Sequence, residues 1–258
     1  MTLVLAYHEL STERSPLCIA PQLFAEHLHT LAECGVQVLT AGELAAAFAA
    51  DDVPERTVVL TFDDAFADAV REARRLLAAE QMRATFFCVA GHVGGSSDWP
   101  SRRTNAPVRP LASTDVLAQL ADEGHEIGSH GWSHAPLNGS ADLRLEVVES
   151  QATLAAATGS LVRTFAYPYG ASPAPDARAL VGDTYTAAFT TVIGRVTNAS
   201  SRFALPRVDA HYVRDPRLLR RVVLGEREVY LRVRRMAAHT RRTVRKDYAT
   251  LTVEPATP

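Results

Sequence analysis

Short apolar runs alternate along this chain with longer stretches of helical spacing, and that alternation leaves few folds open. "LVLAYH" (3 to 8) is followed by "PQLFAEHLHTLAECG" (21 to 35), where Leu23, Phe24, His27, Leu28 and Leu31 share a helical face, Pro21 takes a permitted first-turn position and Gly35 ends the run. "VQVLT" (36 to 40) precedes the helical "AGELAAAFAA", and "TVVLTF" (57 to 62) precedes a helix expected from about Ala65 to Glu80. "RATFFCVAG" (83 to 91) has the β-branched and aromatic content of a strand. "STDVLAQLADEG", capped by Ser113 or Thr114, leads to the strand-like "HEIGSH". A helical run from 141 to 159 with a glycine stop leads to "RTFAYP" and then "YTAAFTT". The pattern predicts parallel strands joined by helical crossovers, as an α/β barrel or an open sheet. In both architectures sites gather at the carboxyl ends of the strands.

At 258 residues the chain suits one large α/β domain or two small ones, and one is expected. A net charge of −2 gives no overall basic excess, which argues against nucleic acid as a partner. Cys18, Cys34 and Cys88 are odd in number and lack CxxC spacing, so neither a disulfide framework nor a thiolate metal site is expected. "MTLVLAYHEL" has no basic n-region and its apolar stretch breaks at Tyr7, His8 and Glu9. It reads as a first strand rather than a signal peptide or membrane span, which makes the cytoplasm the expected location. The run from 91 to 110, with Trp99, Arg102 and Arg103, is aperiodic and reads as a long loop that is either mobile or folded over a site. From Arg214 to Lys246 arginines surround Val229, Leu231, Val233 and Met236. The plain reading of residues 214 to 258 is a basic helical extension packed on the domain spanning 1 to 213, against a phosphate-binding or membrane-surface role.

The chemistry begins where "TVVLTF" stops, at Asp63 and Asp64. Neighbouring strand residues point in different directions, so one carboxylate can hold a metal while the other handles protons. An Asp ahead of "AFADAVREARRLL" is also a good helix N-cap. His130 and His134, four apart after another strand-like run, would share a face if the chain turns helically there. Two imidazoles and one carboxylate leave a coordination position open, as catalytic zinc sites do. A cation so held makes hydrolysis near neutral pH feasible, and the second aspartate then has a task as general base.

"TFDD" (61 to 64), "SHGWSH" (129 to 134) and "FAYPYG" (165 to 170) resemble, in order, the first three motifs of the polysaccharide deacetylase family, the NodB-like carbohydrate esterases. The resemblance runs from "AYHEL", similar to the opening strand of the poly-N-acetylglucosamine deacetylases, to "FALPRVDAHYV" (203 to 213). It implies a distorted (β/α) barrel, a bound zinc (or another divalent transition metal such as Co2+ or Ni2+), and removal of an N-acetyl group from an acetylated sugar or glycoconjugate. By position it makes Asp63 the catalytic base, Asp64, His130 and His134 the metal ligands, and the Tyr169 N–H an oxyanion donor. Two places depart from the pattern. The third motif of many members begins Phe-Arg, and that arginine buttresses the base; here the position is Ala166, and Arg207, with Asp209 two residues on along the same strand face, is the expected replacement. The leucine-x-histidine that supplies the family's general acid has no clear counterpart, which leaves His211, then His239, as candidates, or Asp63 itself returning the proton. Two other readings stay open: a degenerate domain that binds glycan without turnover, and a metal-dependent amidase or deformylase.

Overall fold

The computed structural model describes residues 2–53, 55–102, 107–139, 141–171 and 173–245. Among these, eight strands make one parallel sheet: β1 (Leu3–Tyr7), β4 (Gln37–Leu39), β5 (Thr57–Asp64), β6 (Thr85–Cys88), β7 (Glu126–Ser129), β8 (Thr164–Ala166), β9 (Ala187–Phe189) and β10 (Val208–Asp209). Two short strands, β2 (Glu9–Leu10) and β3 (Cys18–Ile19), pair beside it. The main order is β10-β1-β5-β6-β7-β8-β9, with β4 on the first half of β5. Leu205 pairs with Phe189 of β9 while Val208 and Asp209 pair with Leu5 and Ala6 of β1, so the run from 205 to 209 bridges the two edges and the sheet curls into a barrel.

Strand parity separates two cores. On β5, Val58, Leu60 and Phe62 face outward to the helices, whereas Val59 joins Val4, Phe87, Ala166, Phe189 and Leu205 inside the barrel. The outward ring stack Tyr7–Phe62–Phe86, at 5.3 and 5.1 Å, holds β1, β5 and β6 in register. Helix α2 (Ala41–Ala49) enters the inner core through Leu44 and Ala45, and Thr40 starts it with a reciprocal capping box to Glu43. Parity carries on past the apolar residues: Thr61 and Asp63 follow Val59 to the inner side.

The outer layer holds α1 (Pro21–Glu33), α3 (Ala67–Ala79), α4 (Thr114–Asp122), α5 (Ser150–Thr158) and α6 (Pro175–Thr184). The run expected as one helix over 141–159 opens instead with a π-helical turn, Arg144–Glu149, and α6 is an element the sequence reading did not anticipate. The basic extension is two helices, α7 (Pro216–Val223) and α8 (Glu228–Arg245), seated on the same body by the buried Leu219, Val222 and Leu231. Inside, the Tyr7 hydroxyl donates to His27 Nδ1 at 3.0 Å, and His27 Nε2 donates to the Arg214 carbonyl at 2.9 Å, tying the start of that extension to the core. Residues 246–258 of the extension lie outside the described residues. No helix among the described residues is long and apolar enough to cross a membrane.

Candidate active site

At the end of β5 the backbone turns left-handed at Asp64 (φ 70°) and Ala65 (φ 55°), a conformation that costs non-glycine residues roughly 1–2 kcal/mol each. The turn stops the strand and sends the two carboxylates to different partners. Helix capping does not explain them, because the N-cap of α3 is Phe66 and no side chain caps it. Asp63 is gripped at both oxygens by Arg207, Nη1 to Oδ1 at 2.6 Å and Nη2 to Oδ2 at 2.7 Å. Arg207 is 1% exposed; its Nε donates to the Thr190 carbonyl at 3.0 Å, Nη1 to Thr61 Oγ1 at 3.2 Å, and the guanidinium lies over the Phe87 ring. Burial alone would push the Asp63 carboxyl up, but the Arg207 charge, with His130 behind it, outweighs burial and holds it well below the usual carboxylate range. Ala166, the position for which Arg207 is the expected replacement, is sealed in the inner core.

Asp64 faces two imidazoles: its Oδ1 lies 3.2 Å from His134 Nε2 and 3.6 Å from His130 Nε2. The available ligand atoms of the three residues fall within 4.8 Å of one another, and all three are buried. His130 Nδ1 donates to the Ala166 carbonyl at 2.7 Å, which leaves the Nε2 lone pair toward Asp64. Burial, the largest influence, brings the His130 imidazole down to about 4, the neutral form a metal needs. Asp64 Oδ1 is buried without an aligned hydrogen bond. An orphaned buried acceptor costs about 1–3 kcal/mol, and a cation among these three groups would relieve it. The donor set could hold a metal ion.

His130 and His134 are brought together by a loop, not by the helical turn their spacing suggested. Gly131 (φ 83°) and His134 (φ 57°) are left-handed, and the loop is clamped from a distance. The buried carboxylate of Glu146, on the π-helical turn, accepts from Trp132 N at 2.8 Å, Ser133 N at 3.1 Å and the Ser133 hydroxyl. A Cβ on residue 131 would come within 2.7 Å of Glu146 Oε2, so only glycine fits. The far side of His134 is packed by Trp99 at 4.4 Å and Tyr169 at 4.5 Å between ring centroids. Tyr169 donates to the Ser101 carbonyl at 2.7 Å, and Ser101 Oγ donates to the His134 carbonyl at 2.8 Å. Trp99, 5% exposed, is therefore a support for His134 rather than an open platform for a sugar. Arg102 lines the cavity, and Arg103 lies outside the described residues.

These groups open into one cavity of about 790 Å³ that His8, Asp63, Asp64, His130, His134 and Tyr169 line. Tyr169 has φ 58°, turned within the short Pro168–Gly170 helix at the end of β8. Asp209 reaches the cavity wall, but its carboxylate caps the next turn, accepting from His211 N at 2.8 Å, and does not buttress Arg207. His211 is exposed, near Arg214, and is not among the lining residues. The side chain of His239 is outside the described residues. The histidine that does face Asp63 is His8, whose Nε2 lies 3.8 Å from Asp63 Oδ2. Its signal was present: Tyr7 pairs with Phe62, so His8 follows on the strand beside Asp63, and it shares the parity of the inward Val4. A larger groove of about 1040 Å³ lies between α3 and α4, but its Arg74 and Arg83 are paired with Glu123 and Glu43 and it lacks the metal-ligand cluster.

Comparison with known proteins converges on one family. The family described as Polysaccharide deacetylase matches residues 50–186. YxkH of Bacillus subtilis, whose name places it among polysaccharide deacetylases, is 26% identical over 208 residues, 80% of this chain and 70% of that protein. Chitin deacetylase of Pestalotiopsis is 36% identical over 81 residues, 31% of this chain and 22% of its own. Among solved structures, IcaB from Ammonifex degensii superposes with a TM-score of 0.70 at 24% identity, covering 86% of this chain and 95% of its own. The Streptococcus pyogenes deacetylase PplD, in complex with acetate, does so at 0.70 and 20%, covering 81% and 91%. Against a Bacillus anthracis structure, at 0.68 and 22%, this chain spans 64% of the other's length.

Proposed function

The chain belongs to the polysaccharide deacetylase family, and from that premise we propose that it hydrolyses the N-acetyl group of an acetylated amino sugar or glycoconjugate, with a divalent metal held by Asp64, His130 and His134. The observation that carries the reading is the contrast between neighbours at the end of β5. Asp63 is locked in a bidentate pair with Arg207, and Asp64 is an orphaned acceptor between two imidazoles. Two histidines and a carboxylate suit zinc, with cobalt or nickel as alternatives. Such an ion, when bound, supplies a Lewis acid for the acetyl oxygen and acidifies a water.

Asp63 takes the proton from the attacking water, and Arg207 keeps that carboxylate ionised and aimed until it does. The Tyr169 N–H, on a turn of positive φ at the cavity wall, is the donor assigned to the developing oxyanion. His8 takes the part that His211 was expected to play: it faces the cavity beside Asp63 and gives the leaving amine its proton. Asp209 serves the wall and not the chemistry. Arg207 supplies the cation that Ala166 does not, which weakens the reading as a degenerate, non-catalytic binding domain.

The test is acetate release from nucleotide sugars, acetylated chito-oligosaccharides and glycosylated metabolites, using metal-stripped and zinc-reloaded protein. Release in the reloaded protein alone is expected. Full activity after stripping overturns the reading, and preference for a formyl over an acetyl donor on one sugar scaffold would move it to a deformylase.

A further inference from the structure

A helix that packs on a globular body needs one apolar stripe, and α8 has two. Its inner side carries the buried Leu231, Tyr230, whose hydroxyl donates to the Tyr212 carbonyl at 2.5 Å, and Ala238, which forms part of the wall of the catalytic cavity. Arg234 stacks over the Tyr212 and Tyr230 rings at 5.4 and 5.2 Å and fixes that side. On the other side Val229, Val233 and Met236, spaced by four and three, are 72%, 52% and 62% exposed. Arg232 and Arg235 are exposed beside them, and no carboxylate among the described residues pairs with either. The charge of the region is as lopsided as its hydrophobicity. From Arg214 to Arg245 the sequence holds eleven arginines and three acidic residues, in a chain whose total is −2, so the remainder is net acidic.

An exposed apolar line with guanidinium groups along its flank is complementary to one kind of surface in particular. Acyl chains take the valines and methionine while anionic headgroups take the arginines. Duplex nucleic acid would use the arginines but leave Val229 and Val233 in water. We propose that α8 docks this protein on an anionic lipid bilayer. Because the cavity wall and the exposed stripe are opposite sides of one helix, about 10 Å across, the catalytic cavity then opens beside that surface. Sugars held at that surface then lie within reach of the cavity. This last step rests on the deacetylase reading; the docking does not.

The experiment is co-sedimentation of the full chain with vesicles of phosphatidylcholine alone and of phosphatidylcholine with an equal part of phosphatidylglycerol, at low and high salt. Binding to the anionic vesicles, weaker by roughly tenfold or more on neutral ones and falling with salt, is expected. Val229→Ser/Val233→Ser and, separately, Arg232→Ala/Arg235→Ala should each lower the partition by roughly tenfold with an unchanged circular dichroism spectrum. Acetate release from a soluble chito-oligosaccharide should stay at the wild-type level in both variants. No binding to anionic vesicles, equal binding to neutral ones, or wild-type partition by the valine variant overturns the proposal, as does binding to a duplex oligonucleotide in place of vesicles. A protein that binds anionic vesicles but deacetylates no sugar upholds the docking and counts against the deacetylase reading, so the two fail separately.

Discussion

Glu126, the first residue of β7, gives both carboxylate oxygens to donors: Gly42 N at 2.6 Å and Thr85 Oγ1 at 2.9 Å on one, Thr164 Oγ1 at 2.7 Å on the other. Those donors start β6, β8 and α2, so at the amino end of the barrel a carboxylate and a helix N-terminus close the structure on itself. At the carboxyl end Asp64 is buried and is left with an orphaned oxygen, on a left-handed backbone, facing two imidazoles and a cavity. The same chemical group is satisfied where the barrel is being held together and left wanting where the donor set could hold a metal ion. Asp63 stands between these cases, satisfied by Arg207 yet open to the cavity. The difference teaches which residues can be changed for stability alone and which for chemistry.

Removing the cation of the satisfied pair should have the largest effect. Arg207→Ala leaves Asp63 buried and unpaired, a change that typically costs about 3–5 kcal/mol; denaturant unfolding of the metal-free protein should register it, and acetate release should be lost. Next comes the clamp. Glu146→Gln keeps the shape but loses an acceptor for the Trp132 and Ser133 donors, and zinc affinity read by competition with a chromophoric chelator should drop about 10–100-fold while metal-free stability changes much less. The smallest effect belongs to the amino end, where Glu126→Gln should cost about 1 kcal/mol of stability and leave zinc affinity untouched. A loss of metal in that variant would erase the distinction between the two ends.

The ends also differ in the sign of their pH dependence. Burial raises the Glu126 carboxyl in spite of its three donors, so the folded protein keeps that proton to higher pH than the unfolded chain. Its contribution to stability is fullest below the unfolded glutamate value and falls as pH rises through the folded one. Asp63 runs the other way: held low by Arg207 against burial, it contributes above the unfolded aspartate value and loses that contribution as pH falls. Unfolding of metal-free Glu126→Gln across pH should lack the first slope and retain the second.

Much of this was legible in the sequence because it is periodic or local. Parity along "TVVLTFDD" sends Asp63 inward with Val59, and every apolar run read as a strand overlaps a strand of the main sheet. Arg207 could be named because the resemblance calls for a cation that Ala166 does not supply, and the arginine of "LPRVDA" does contact Asp63. What stayed hidden depends on register or on distant contacts. His8 needed the pairing of β1 with β5, and in its absence His211, near Asp209 in sequence, looked better placed than it is. Four-residue spacing suggested a helix for His130 and His134, whereas Gly131 and a glutamate 12 positions beyond His134 shape a loop. Nothing in the Trp99 loop announced that its indole would pack on a metal-ligand candidate.

The division of labour between Asp63 and Asp64 is tested most directly by measuring zinc stoichiometry and acetate release side by side in Asp63→Asn and Asp64→Asn. Asp63→Asn should bind one equivalent of zinc with turnover reduced by roughly a thousandfold, and Asp64→Asn should lose both. Loss of zinc from Asp63→Asn, or turnover that survives in it, would contradict the account.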